Sequence, residues 1–236
     1  MKKTTLVAPY DEPLARAAAA EARVLGRSIA ALTPGSVDTR TGRKDRREEP
    51  AEVESPGEDS KTGFLEETPI IWNPPSFVSA RTAVLEASVR FGSVDEAVLV
   101  VPPGSAQTLA AKPAEIERIL QERTLSIVWL VRELLMHFSA RPAGSGPGRL
   151  ILILADRGQP PRDPVSAASF GALSSLAAAL AESAQDAPYE VWAVQDSCPQ
   201  DDLAAQYIRR ILQAPPERRP GRMLRFTGKS SLFNRP

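Results

Sequence analysis

Six residues, Ala8-Pro9-Tyr10-Asp11-Glu12-Pro13, stand where a first apolar run hands over to an alanine-rich one, and their types decide whether phosphate chemistry is available there. A dinucleotide pyrophosphate needs glycine at such a turn. Only a residue without Cβ lets the backbone approach the anion and aim its N–H groups at it. No glycine precedes Gly26. Pro9 and Pro13 bring no N–H, and a carboxylate from Asp11 or Glu12 caps the helix start and repels phosphate. The turn reads as the scaffold of a nucleotide site without its cradle.

Other reactive types are sparse. His137 is the single histidine, flanked by Met136 and Phe138 near the end of an apolar helical stretch, and reads as a packed helix-end residue rather than a base. Cys198, the single cysteine, excludes an intrachain disulfide and a cysteine-rich zinc site, and has no basic neighbour to lower its pKa. Asp201 and Asp202 read as carboxylates complementing a helix dipole, because no His, Cys and carboxylate cluster has metal-ligand spacing. Ser166 and Ser169 open a helix, where capping outweighs nucleophilic use. Tyr10, Asp11 and Asp156 remain as residues to line a small-ligand cleft.

The bulk properties narrow the partners. Lys plus Arg equals Asp plus Glu at 29 each in 236 residues, so no net charge draws the chain to nucleic acid or anionic membrane. No run is apolar and long enough to span a bilayer, and Met1-Lys2-Lys3 lacks the apolar region of a signal peptide. A cytoplasmic protein with no nucleic-acid and no membrane partner is expected.

The elements that must position these residues alternate. Strands are predicted at 4–8, 28–32, 69–72, 97–101, 149–155, 190–194 and 222–226, and helices at 13–25, 76–91, 114–138, 164–182 and 201–213. The order predicts right-handed crossovers and a parallel sheet covered on both faces, a doubly wound, Rossmann-like α/β fold over 1–236. Residues 34–68 hold mixed charge, Pro, Gly and Ser with few large apolar residues, and are read as a disordered charged insertion. The basic cluster at 40–47 is nearly cancelled by the acidic residues that follow.

In this order the local wording resembles the short-chain dehydrogenase/reductase family. Residues 87–100 (ASVRFGSVDEAVLV) look like that family's third helix, turn and fourth strand. Residues 117–120 and 134–138 look like the ends of its long helix, 148–151 like the start of its fifth strand, and 221–228 like its last strand. The resemblance implies a single domain of that type and an NAD(P)-dependent oxidoreductase ancestry.

Carried across residue by residue, the family's functional positions meet other types. Its glycine turn falls on Pro9, Tyr10, Asp11 and Pro13, and its Asn-Asn-Ala-Gly on Val101, Pro102, Pro103 and Gly104, where only the glycine matches. Its long-helix asparagine falls near Arg123 or Thr124, its serine on Ala155, its Tyr-x-x-x-Lys pair on Ser166 and Phe170, and its adenine-binding acid on Asn73. A serine hydroxyl is far less acidic than that tyrosine, and Phe170 supplies no charge. The expectation is a non-catalytic protein with a structural, regulatory or partner-binding role, no catalytic residue, no metal and no cofactor. The alternatives are a divergent NAD(P)-dependent oxidoreductase and a small-molecule sensor using the same cleft. Small residues in 164–182 and the wide apolar sector of 114–138 further suggest a homodimer, or a heteromer with a relative, through these two helices.

Overall fold

The computed structural model describes residues 2–35, 69–103, 112–142, 144–159, 161, 163–216 and 220–228. Its strands are β1 (Thr4–Ala8), β2 (Ser28–Pro34), β3 (Ile70–Trp72), β4 (Glu96–Val101), β5 (Gly148–Ala155), β6 (Tyr189–Asp196) and β7 (Leu224–Phe226). All pair in parallel, in the order β3-β2-β1-β4-β5-β6-β7. The doubly wound sheet is therefore as expected. Because β2 and β4 flank β1, the crossovers leave β1 in opposite directions and open a crevice at the strand C-termini. The insertion read at 34–68 lies outside the described residues from 36 onward, while Pro34 ends β2.

Alternation along each strand builds two cores. Leu6, Leu99, Val101, Leu150, Leu152 and Leu154 face α2 (Phe77–Phe91), α4 (Ser126–Ser139) and α5 (Pro164–Ser183). Val7, Val98, Val100, Ile151 and Ile153 face α1 (Pro13–Val24) and α6 (Asp201–Gln213). On α1 the buried positions Leu14, Ala15, Ala18, Ala19 and Ala22 recur with helical spacing, and their small side chains let α6 lie close.

Local chemistry sets the ends. Ser76 caps α2 by accepting from the Ser79 N–H at 3.2 Å, and Gly92 ends it in the left-handed conformation at φ 80°. Gly148 lies so close to the Phe138 ring that a Cβ would overlap it, which fixes where α4 meets β5. With its 3₁₀ extension to Asp186, α5 is long and apolar enough to cross a membrane by length and composition, at mean hydropathy 1.4. It is nonetheless laid on the sheet, burying Val165, Leu173, Ala177 and Ala181.

The single helix predicted over 114–138 is three pieces. α3 (Pro113–Leu120) runs into a π-helical turn, Gln121–Leu125, before α4 begins. The apolar positions resume at Leu125 after the polar run Gln121-Glu122-Arg123-Thr124, and that run is the only mark of the wider turn in the hydrophobic pattern.

Candidate functional site

At the strand C-termini, a partly open cleft lies beside the β1/β4 switch point. Pro9, Pro34, Trp72, Val101, Pro102, Ile127 and Phe170 make most of its wall apolar. Its polar side comes from the π-helical turn and the start of α5. The turn brings Glu122, Arg123, Ser126 and Ile127 to the same wall, and α5 adds Ser166 and Ser169. π-helical turns of this kind recur at functional sites.

These polar residues are tied together. Arg123 Nη1 donates to Ser166 Oγ at 3.1 Å, and the Thr124 and Ser169 hydroxyls lie 2.7 Å apart. Ser166 and Ser169 are buried, and Asp163, the α5 N-cap, accepts from the Ser166 N–H at 2.8 Å. Ser166 is thus fixed by the cap of its own helix and by a guanidinium from another. Glu122 lines the same wall, but its carboxylate pairs with Arg118 at 2.7 Å on the exposed side of the helix. Sequence reasoning placed Arg123 and Ser166 at family positions without bringing them together. Their pairing depends on the π turn and on α5 crossing it.

The turn after β1 binds its own backbone. The Tyr10 N–H donates to the Leu32 carbonyl at 2.7 Å and the Glu12 N–H to the Pro9 carbonyl at 3.2 Å, while Pro9 and Pro13 have none to give. Glu12 stands at the N-cap of α1 without a side-chain capping bond, and burial, helped by Asp11, raises its pKa. A phosphate does not fit here. The cleft lining by Pro34, Trp72 and Val101 is apolar and suits the flat base of a dinucleotide, whereas the β1 turn offers no glycine-type grip on its pyrophosphate.

A third group closes the β5 and β6 ends. Asp156 accepts from the Gln195 amide at 2.6 Å and the Gly158 N–H at 2.9 Å, and Asp196 accepts from the Cys198 N–H at 3.0 Å. Burial raises the Asp196 pKa to about 6 against that hydrogen bond, with Asp156 and Asp201 adding to the rise. Between them Arg157 adopts φ 49° and pairs with Asp201 at 3.1 Å.

The remaining candidates disperse. Pro9 and Val101 line the cleft; Tyr10 is half-buried, Asp11 exposed and Asp156 buried beside Gln195. Ala155 ends β5 in the α1/α6 core, Ser166 and Phe170 line the cleft, and Gly104 lies outside the described residues. His137 sits at the opposite edge of the sheet on the Val94 carbonyl, its pKa lowered by burial. Cys198 is buried. Among the described residues no group of three or more His, Cys, Asp or Glu is arranged to hold a metal ion.

No protein-family model matches this sequence, and no curated protein matches it. Solved structures do. A short-chain dehydrogenase from Streptomyces avermitilis superposes with a TM-score of 0.69 at 17% identity, covering 97% of this chain and 89% of that one. A short-chain dehydrogenase/reductase from Serratia marcescens gives 0.67 at 17%, covering 96% of each chain. An alcohol dehydrogenase from the archaeon Thermococcus sibiricus, complexed with 5-hydroxy-NADP, gives 0.66 at 15%, covering 100% and 99%. The chain has the short-chain dehydrogenase/reductase fold.

Two expectations are corrected by these matches. The non-catalytic role and the absence of a cofactor were read from residue types at single positions, whereas the structures this chain matches end to end are dehydrogenases and reductases, one of them holding a dinucleotide analogue. The physical reason lies in the cleft. Replacing the glycine turn changes its rim without closing the crevice, which depends on strand order rather than on the turn.

Proposed function

We propose that this chain is an oxidoreductase of the short-chain dehydrogenase/reductase type that works with NAD or NADP at the C-terminal edge of its sheet. The observation that carries the reading is the cleft beside β1 and β4, with the Arg123–Ser166 pair on the polar side of a largely apolar wall. Pro34, Trp72 and Val101 would hold the base, and the bound dinucleotide supplies or accepts hydride. Arg123 provides fixed positive charge in a low-dielectric setting, where it stabilises negative charge growing on a carbonyl oxygen. A guanidinium does not release its proton, so the proton comes through a hydroxyl or water.

Thermal unfolding with NAD, NADH, NADP and NADPH at millimolar concentration tests this. A ligand at a hundred times its dissociation constant stabilises by about 2.7 kcal/mol. A shift with at least one dinucleotide is expected; none with all four, on folded protein, overturns the reading. Arg123→Gln is expected to lower kcat by roughly 10²-fold, the scale of losing one oxyanion donor.

The assembly is a separate proposal. The outer face of α5 exposes Ala167, Ala168, Gly171, Ala172 and Ser175, and a Cβ at Gly171 would meet nothing within 4 Å. We propose that this face pairs with a second copy of the chain in the cytoplasm. Sedimentation equilibrium is expected to give a dimer for the natural chain and a monomer for Gly171→Leu.

A further inference from the structure

The 29 basic and 29 acidic residues balance only in sum. Residues 209–236 carry eight Lys and Arg against Glu217 alone, which leaves 21 against 28 in residues 1–208. Seven of the eight are arginine. Charge segregated in this way makes a surface for a polyanion wherever the fold gathers the excess in one place.

The fold gathers it at β7. This is the last strand on its side of the sheet and pairs with β6 alone, Arg225 standing exposed opposite Gln195. Leu224 and Phe226 pack toward α6, where the Phe226 ring stacks on Tyr207 with centroids 4.5 Å apart. Arg210, one turn beyond Tyr207, is near enough to act on its hydroxyl, opposing the rise in pKa that burial causes. Arg222 lies exposed just ahead of the strand. Among the described residues Arg210, Arg222 and Arg225 have no carboxylate partner, whereas the adjacent Arg209 is held by Glu21 at 3.2 Å.

Three such guanidiniums, along a strand edge and a helix end, suit anions at intervals rather than one enclosed anion. A guanidinium offers a planar fork that fits a phosphate and a flat face that stacks on a ring, and a lysine ammonium offers neither. A membrane-docking element sets its cations beside an outward apolar face, but the apolar residues of β7 are turned toward α6. A nucleic-acid strand has phosphates recurring along its length and bases open to stacking. We propose that the β7 edge, through Arg210, Arg222 and Arg225, binds single-stranded nucleic acid by its phosphate backbone. The surface shares no residue with the cleft, so it stands or falls apart from the oxidoreductase reading.

The test is fluorescence anisotropy of a labelled oligouridylate of about twenty nucleotides, titrated with the natural chain at salt from about 50 to 300 mM. Binding is expected at the low end, with log K falling against log salt at a slope of about −2 or steeper, the value for three neutralised phosphates. Arg225→Glu is expected to weaken binding about tenfold and to flatten that slope by about 0.7. Arg81→Glu makes the same charge change on the exposed side of α2, which packs over β2 and β3 at the opposite edge of the sheet, and is expected to leave binding within about twofold. No binding by the natural chain at about 50 mM salt overturns the proposal without recourse to any variant. Equal weakening by the two variants also overturns it, since the effect is then one of overall charge. Binding to vesicles carrying phosphatidylserine, with none to the oligouridylate, overturns it in favour of a lipid surface.

Discussion

At the N-terminal edge of the sheet, Arg149 donates to Glu190 at 2.7 Å and directs its other N–H groups to the carbonyls of Ile211, Leu212 and Ala214 at 2.7–3.0 Å. Arg27 there pairs with Glu96 and reaches the Leu212 carbonyl at 2.7 Å. At the C-terminal edge, Arg123 reaches a serine hydroxyl in the wall of an open cleft. The first two guanidiniums close the C-terminus of α6, donating to carbonyls at and just beyond its last turn. The two sets differ in their surroundings: backbone acceptors and buried carboxylates around Arg27 and Arg149, a serine hydroxyl and a largely apolar cleft wall beside Arg123.

The largest test of that contrast is Arg149→Met, which strands the buried Glu190 carboxylate and the Ala214 carbonyl, while the Leu212 carbonyl keeps Arg27 and the Ile211 carbonyl keeps the Ala214 N–H. It is expected to cost about 3–5 kcal/mol in urea unfolding while leaving dinucleotide binding by the folded chain unchanged. Adding Glu190→Leu is expected to recover much of the loss, because the stranded charge goes with it. Arg123→Gln is the mirror experiment, with a stability change of about 1 kcal/mol and the loss of function described above.

A second test concerns Asp196, whose folded pKa of about 6 exceeds its ordinary carboxylate value. Between the two values the folded chain binds the extra proton. This group's contribution is therefore complete below its unfolded pKa and is lost as pH rises from about 4 through about 6. Urea unfolding across that window is expected to show a fall on the order of 2 kcal/mol that Asp196→Asn abolishes. A smaller effect is expected from Asp163→Ala, which removes the α5 cap. It should cost about 1 kcal/mol and lower turnover by loosening Ser166. If stability falls and turnover does not, Ser166 has no part in the reaction.

The sheet was legible because buried parallel strands such as Leu150 to Leu154 are continuous apolar runs with clear boundaries. The polar turns between them mattered less, and β2 continues two residues past the predicted Leu32, since Thr33 and Pro34 pair with Ile71 and Trp72 of an edge strand. The site was only partly legible. Arg123, Ser166 and Phe170 were each marked, but their meeting depends on a π-helical turn with no period of its own, and on tertiary packing of α5 across it. The polar run Gln121-Glu122-Arg123-Thr124 between Leu120 and Leu125 was the one available signal. Residue types at the β1 turn led further astray, because they describe the rim of a crevice whose existence is set by strand order.

The carbonyls that receive Arg27 and Arg149 belong to residues 211–214, more than sixty positions later in the chain in one case and 185 in the other. During synthesis, the first strands, α1 and β5 leave the ribosome long before the segment that satisfies these guanidiniums. Until α6 arrives, Arg27 and Arg149 hold Glu96 and Glu190 but leave guanidinium N–H groups without the carbonyl acceptors at 211–214. Satisfying those groups is a non-local contact made by the last helix of the sheet's cover, and such contacts lengthen the search that folding must complete.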